Sequence, residues 1–264
     1  MISTIFKSIF RFFVYLNVLA LFRFINRDSI IILFYHGVTP CPEREPNNFD
    51  GKHIELKKFE KQMRYISQKY NVVSLDEAIA MLRNEKKIVP NTIAVTFDDG
   101  YYNNLDCALP VVKRYSIPIT IFLATNYADI GKGSGFLGWE EICNMHKQGV
   151  KFGAHTVTHP VLTQTSNDQA MFELRESRRE LGSRLKDNIY SFAYPYGTFN
   201  QNIADMVSET GYSCAFTTVY GVNTSDSDLY KLKRIAINNN FSFEYFVANL
   251  FPCLRNIVDK MYVS

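Results

Sequence analysis

Continuous apolar runs alternate with segments of helical periodicity along most of this chain. The stretch "SIIILFYHG" (29–37) is apolar almost throughout, the pattern of a strand buried on both faces. In "ELKKFEKQMRYISQKY" (55–70), Leu56, Phe59, Met63 and Ile66 recur at helical spacing. The pattern then predicts a short strand at "NVVSL", a helix from Asp76 to Arg83 and a buried strand "NTIAVTFDD" (91–99). A helix follows from Asn103 to Tyr115, bent near Pro110, and then a strand "IPITIFLAT" (117–125). Past a glycine-rich loop come a helix from Trp139 to Lys147, a strand "VKFGAHT" (150–156) and a charged helix over roughly 167–187. A strand "YSFAYPYG" (190–197), a helix from Asn200 to Thr210, strands at "YSCAFTTV" and "YKLKRIAI", and a closing helix interrupted near Pro252 complete the pass. Repeated strand–helix units imply parallel strands with right-handed crossovers, and about seven of them in one domain favour an α/β fold of the (β/α) barrel type. An open doubly wound sheet is the alternative, but the chain has neither GxGxxG nor GxxxxGK[ST].

The chemically capable residues fall where predicted strands end, which in a parallel barrel is the face that carries the active site. Asp98 and Asp99 end one strand, His155 ends another, Pro195-Tyr196-Gly197 end a third and His36 ends the first. His159 follows His155 by four residues, a spacing that puts two imidazoles on one side of a helical turn. With a carboxylate they make a two-histidine, one-carboxylate set with positions left open. Such a set also explains the adjacent acids: one ligates a cation, and the cation lowers the cost of charging its neighbour. His53 and His146 have no such company and read as surface or packing residues.

Composition changes the picture little. A chain of 264 residues with 47% hydrophobic residues can bury one large core. Its 29 basic and 26 acidic residues give a net charge of +3, too mild and too scattered to suggest a nucleic-acid partner. Cys41, Cys107, Cys143, Cys214 and Cys253 are widely spaced without CxxC, which excludes a thiolate zinc site or disulfide framework and leaves room for one incidental disulfide. The N-terminal segment 1–28 stands apart. Its uncharged apolar run, Phe12 to Phe22, lies between Arg11 and Arg23 and is shorter than the roughly 20 residues a spanning helix needs. It reads as a signal-like segment, a helix in the membrane interface or a packing helix, so the chain is expected to be exported to the envelope or peripherally membrane-associated. Residues 29–264 form the remaining domain.

Taken together, "TFDDGY" (96–101), "HTVTHP" (155–160) and "FAYPYG" (192–197) resemble the polysaccharide deacetylase family, the NodB-homology or carbohydrate esterase 4 group. "LFYHGV" (33–38) is similar to its YHxV-type exopolysaccharide deacetylase branch, and the likeness runs from about residue 30 to 240. The resemblance implies a distorted (β/α) barrel and a divalent metal ion, often zinc, held by Asp99, His155 and His159. It implies Asp98 as catalytic base and the Tyr196 N–H, beside Pro195, as part of an oxyanion hole. The chain departs from the pattern twice: no histidine follows His159, where the family carries a late acid, and Phe192-Ala193-Tyr194 stand where an arginine often precedes PYG. Because a barrel brings its first and last strands together, His36 is the candidate acid. Arg234 is the candidate partner that orients Asp98, with a solvated strand-end arginine as the alternative.

The reading that follows is a metal-dependent N-deacetylase acting on amino sugars of a polysaccharide or glycan precursor. Two others stand beside it: a deacetylase or deformylase of a lipid-linked sugar at the membrane, and a carbohydrate-binding protein that kept the fold and lost turnover.

Overall fold

A computed structural model describes residues 27–44 and 51–251. In chain order its elements are β1 (Ile30–Tyr35), β2 (Val38–Thr39), β3 (Ile54–Glu55), α1 (Leu56–Lys69), β4 (Asn71–Val72), α2 (Leu75–Leu82), β5 (Thr92–Phe97), α3 (Leu109–Arg114), β6 (Ile119–Leu123), α4 (Thr125–Ile130), α5 (Trp139–Lys147), β7 (Lys151–Ala154), α6 (Asn167–Leu185), β8 (Ser191–Ala193), α7 (Gln201–Glu209), β9 (Cys214–Phe216), β10 (Ile235–Ala236) and α8 (Phe243–Asn249). The main sheet runs β10-β1-β5-β6-β7-β8-β9, every ladder parallel, with β4 beside the start of β5. From β5 onward each new strand is added on the same side, and the last strand returns to the open edge of β1 through Leu33↔Ile235 and Phe34↔Ala236. That order rules out the doubly wound alternative. Between β9 and β10 a single bridge, Phe216↔Leu232, stands in place of a ladder, so the barrel is distorted and incompletely closed.

Side chains alternate along a strand, and the apolar runs sort accordingly. Ile31, Leu33 and Tyr35 of β1, with Ile93, Val95 and Phe97 of β5, point outward into the large core shared with α1, α3, α5, α6 and α7. Ile30 and Ile32, with Ala94, Phe122, Ala193 and Phe216, form a second core in the barrel interior. Leu75, Ile79 and Leu82 of α2 belong to that interior core. Arg83 just beyond α2 donates to Ser213 O (3.2 Å), and Tyr190 bonds Asp76, residues that precede β9 and β8. Helix α2 therefore seals the end where the strands begin and leaves the C-terminal ends for chemistry.

The structure refines several sequence expectations. The strands are shorter than the apolar runs: 190–197 yields only Ser191–Ala193, and Pro195–Gly197 form a 3₁₀ turn. The bend expected near Pro110 is a π-helical stretch, Asn104–Ala108, leading into α3, with Pro110 in the first turn where its missing N–H costs nothing. Cys41, Cys143 and Cys214 are free thiols. Cys253, the Pro252 interruption and residues 1–26 of the N-terminal segment lie outside the described residues. Among the described residues no helix is long and apolar enough to cross a membrane.

Gly153 on β7 is required by the interior packing: a Cβ there would lie 2.4 Å from Phe122 Cε1 and 2.7 Å from Ser191 Oγ. We expect Gly153→Ala to cost about 1–3 kcal/mol by overpacking. Urea unfolding followed by fluorescence checks this, and an unchanged midpoint would contradict it.

Candidate active site

The interior-facing register of the strands carries the charged groups. Counting by twos from Ala94 and Thr96 reaches Asp98, whose N–H extends the ladder to Tyr35 O at 2.9 Å. The same count from Gly153 reaches His155, and β10 contributes Arg234 just before Ile235. Asp98 and Arg234 meet in the mouth of the barrel, with Nη1 donating to Oδ1 and Nη2 to Oδ2, both at 2.7 Å. Arg234 is 0% exposed and Asp98 3%. Nε of Arg234 donates to Thr217 O at 3.0 Å, and its guanidinium lies 4.3 Å from the centroid of the Phe34 ring. This overturns the solvated alternative for Arg234. Burial by itself would raise the Asp98 pKa, but the charge and hydrogen bonds of Arg234, with His155 nearby, hold it below the ordinary value.

The neighbouring acid goes elsewhere because the backbone turns. Asp99 (φ 72°) and Gly100 (φ 74°) are both left-handed. A Cβ on Gly100 would lie 2.3 Å from Leu123 Cδ2, so only glycine fits. Asp99 Oδ1 thereby comes to 3.5 Å from His155 Nε2 and 3.3 Å from His159 Nε2. The two Nε2 atoms are 3.1 Å apart. One ligand atom from each residue lies within 4.8 Å of the others, a group able to hold a metal ion. His155 Nδ1 is 2.7 Å from Ala193 O, which can only accept, so the proton sits on Nδ1 and the Nε2 lone pair faces Asp99. Desolvation would raise the Asp99 pKa, yet its interactions with His155, His159 and His36 outweigh it and hold the carboxyl well below its usual range.

The histidine pair does not ride on a helical turn, contrary to the sequence expectation. Residues 155–159 form a loop in which Thr156 (φ 69°) and His159 (φ 60°) are left-handed, and this is what swings His159 back over His155. The loop is fastened from α6. Glu173, 0% exposed, accepts Val157 N at 2.8 Å and Thr158 N at 2.9 Å on Oε2. Its Oε1 accepts Thr158 Oγ1 at 2.7 Å and Gln169 Nε2 at 3.1 Å. Sequence reasoning passed over Glu173 within a helix full of charges; the one signal was an acid on the face that also carries Ala170, Leu174, Ser177 and Leu181.

Pro195 is buried and Tyr196 exposed, left-handed at φ 59°, with its ring 4.8 Å from that of His159. The hydrogen bonds of this turn are donated by Gly197 N to Tyr194 O and by Thr198 N to Pro195 O. Tyr194, in the Phe192-Ala193-Tyr194 stretch before the turn, donates its hydroxyl to Tyr230 O (3.0 Å). His36 ends β1, half-buried, and its carbonyl accepts Asn104 Nδ2 at 2.7 Å. Burial lowers the His36 pKa, and the charges of Asp99 and Asp98 oppose that shift. Tyr127 and Phe136 stack at 4.3 Å, and Tyr127 lies against His159, giving the mouth an aromatic side. Of the other histidines, His53 is buried against Tyr101 and Asn103, and His146 is half-buried beside Asp187; both are packing residues.

Comparison with known proteins agrees with this geometry. The sequence model described as "Polysaccharide deacetylase" matches residues 85–215. The chain is 28% identical to Bacillus subtilis YxkH, over 82% of this chain and 74% of that protein. It is 26% identical to the poly-beta-1,6-N-acetyl-D-glucosamine N-deacetylase of Staphylococcus epidermidis, over 84% and 83% of the two chains. Among solved structures, the Streptococcus pyogenes deacetylase PplD in complex with acetate superposes with a TM-score of 0.78 at 27% identity, covering 86% of this chain and 100% of that one. The distorted parallel barrel, the acids and histidines gathered at its mouth and these likenesses make the chain a member of the polysaccharide deacetylase family, hydrolases of carbon–nitrogen bonds.

Proposed function

We propose that this protein is a divalent-metal-dependent N-deacetylase of polysaccharides built from N-acetylated amino sugars. The observation that carries the reading is the juxtaposition of two differently partnered acids: Asp98 locked to Arg234, and Asp99 facing the Nε2 atoms of His155 and His159. The name of the Staphylococcus epidermidis relative supports a poly-N-acetylglucosamine as the substrate class. The ligand set fits a borderline cation such as zinc: two imidazole nitrogens and one carboxylate oxygen, mutually within reach, with one imidazole fixed in the ligating tautomer. When bound there, such a cation supplies Lewis acidity toward the acetamide oxygen and the attacking water.

The protein groups would do the rest. Asp98, kept ionised by Arg234, accepts a proton from the water as its oxygen bonds to the carbonyl carbon. The Tyr196 N–H, on a left-handed residue of the Pro195–Gly197 turn, donates to the developing oxyanion. His36 gives a proton to the sugar nitrogen as the carbon–nitrogen bond breaks, releasing acetate and a free amine. The closeness of β1 to β10 supports His36 in the acid's place, because it brings the end of the first strand beside Arg234 on the last. A binding protein without turnover would gain nothing from an ionised carboxylate buried beside an arginine, which disfavours that reading. The apolar, basic segment 1–28 favours a substrate met at a membrane or envelope surface, and a lipid-linked N-acetylated or N-formylated sugar is the second substrate to assay.

Amine release from N-acetylglucosamine oligomers, with zinc, cobalt or chelator, tests the proposal. Release that needs metal and falls about 10²–10⁴-fold in both Asp98→Asn and His36→Ala is expected. Chelator-insensitive release, or full activity in Asp98→Asn, would sink it.

The Arg234–Asp98 pair makes a separate prediction. A lowered folded pKa means that Asp98 stabilises the fold above the ordinary carboxylate range and loses that contribution as pH falls through the folded value. Arg234→Met leaves the charge buried and unpaired, and should cost about 3–5 kcal/mol at neutral pH. The deficit should narrow on acidification, as Asp98 becomes protonated in the variant first. Unfolding curves of both proteins at neutral and acidic pH check this; a pH-independent difference would refute it.

A further inference from the structure

The mechanism does not use Glu173, yet it is a fully buried carboxylate whose four hydrogen bonds come from neutral donors. Burying a charge on neutral donors alone is expensive, so its retention calls for a reason beyond the stability of α6. The donors identify what it holds. Three of them belong to Val157 and Thr158, the middle of the loop between His155 and His159. The fourth, Gln169, sits one turn earlier on α6, where the N-terminus is capped by Ser166 Oγ on Gln169 N at 3.2 Å.

The loop needs such a clasp. Thr156 and His159 are both held left-handed, a strained conformation for non-glycine residues that persists only where the surroundings enforce it. His159 N donates to Thr156 Oγ1 at 3.0 Å, so the two strained residues are tied to each other, and Glu173 supplies the outside attachment. The two histidines differ in this respect. His155 is fixed independently, by its own N–H on Leu123 O at 2.8 Å and by Nδ1 on Ala193 O at 2.7 Å. The ring of His159 meets His155 and Asp99 through Nε2 and packs against Tyr127 and Tyr196.

We propose that Glu173 is the positioning residue that sets the second imidazole ligand: through the amides of Val157 and Thr158 it fixes His159, but not His155, over Asp99. The inference rests on the reading of Asp99, His155 and His159 as metal ligands. It predicts which changes matter. Alanine at position 173 removes every bond to the loop. Glutamine keeps them in pattern, since its carbonyl oxygen can accept both amides while its NH₂ faces Thr158 Oγ1 and a flipped Gln169.

The test is a cobalt(II) titration of the purified full chain, followed by visible absorption. The proteins are wild type, Glu173→Ala, Glu173→Gln and, as a folding control, Leu174→Ala, which empties a buried apolar position on the same helix. Expected are a roughly 10–100-fold weaker affinity and an altered cobalt spectrum for Glu173→Ala, as for loss of other groups that orient a ligand. Glu173→Gln should stay within about threefold of wild type, and Leu174→Ala should lower the Tm while leaving affinity and spectrum intact. Wild-type cobalt binding with no change in Glu173→Ala would overturn the inference alone. So would an equal loss of affinity in Leu174→Ala, since that marks a merely structural role. No cobalt binding by the wild-type protein would overturn the metal-centre reading and this inference with it.

Discussion

A guanidinium with no solvent exposure, clamped on both oxygens of a buried carboxylate, is the feature on which this barrel mouth is organised. Removing two charges from water is expensive, and the pair survives only because every side of it is provided for. Arg234 donates further to Thr217 O and lies within reach of Thr96 Oγ1 (3.4 Å), while Phe34, Phe122 and Phe216 surround the guanidinium. The result is a carboxylate ionised and immobile at the one open end of the barrel. With Asp98 so committed, Asp99 is free to face a different set of groups, and the repulsion between adjacent acids is resolved by giving each its own partner.

The backbone conveys that division. Among the described residues eight non-glycine positions have positive φ, and Asp99, Thr156, His159 and Tyr196 are four of them. Each follows a strand end and turns the chain abruptly, so that side chains from β5, β7 and β8 converge where extended strands would have carried them apart. Strain gathered at one place and held by packing, a buried glutamate and a glycine-demanding turn is the pattern of a preorganised site. The opposite end of the barrel is occupied by α2.

Closure of the barrel decides how the two departures from the family pattern are accommodated. Because β10 lies beside β1, Arg234 reaches Asp98 from the last strand, while Tyr194 donates to Tyr230 O. The same neighbourhood supports His36 standing in for a histidine late in the chain. Strands that are distant in sequence but adjacent in the sheet can supply groups to the same place.

The chain's own pattern determined a good deal. Period and run length located the strands and helices, strand-end polarity located the chemical face, and Asp98, Asp99, His155 and His159 were legible because their residue types and spacings suit few other purposes. Boundaries were less legible, since an apolar run records burial and not hydrogen bonding; the Tyr196 turn and the loop after His155 both read as strand or helix. The inward alternation that seats Asp98, His155 and Arg234 was hidden for the same reason, because both strand faces are buried. Arg234 and Glu173 could only be decided by the tertiary structure. Sequence shows an arginine on a strand end and a glutamate on a charged helix, whereas burial, and the partner each meets across the fold, depends on how the sheet curls and where α6 packs.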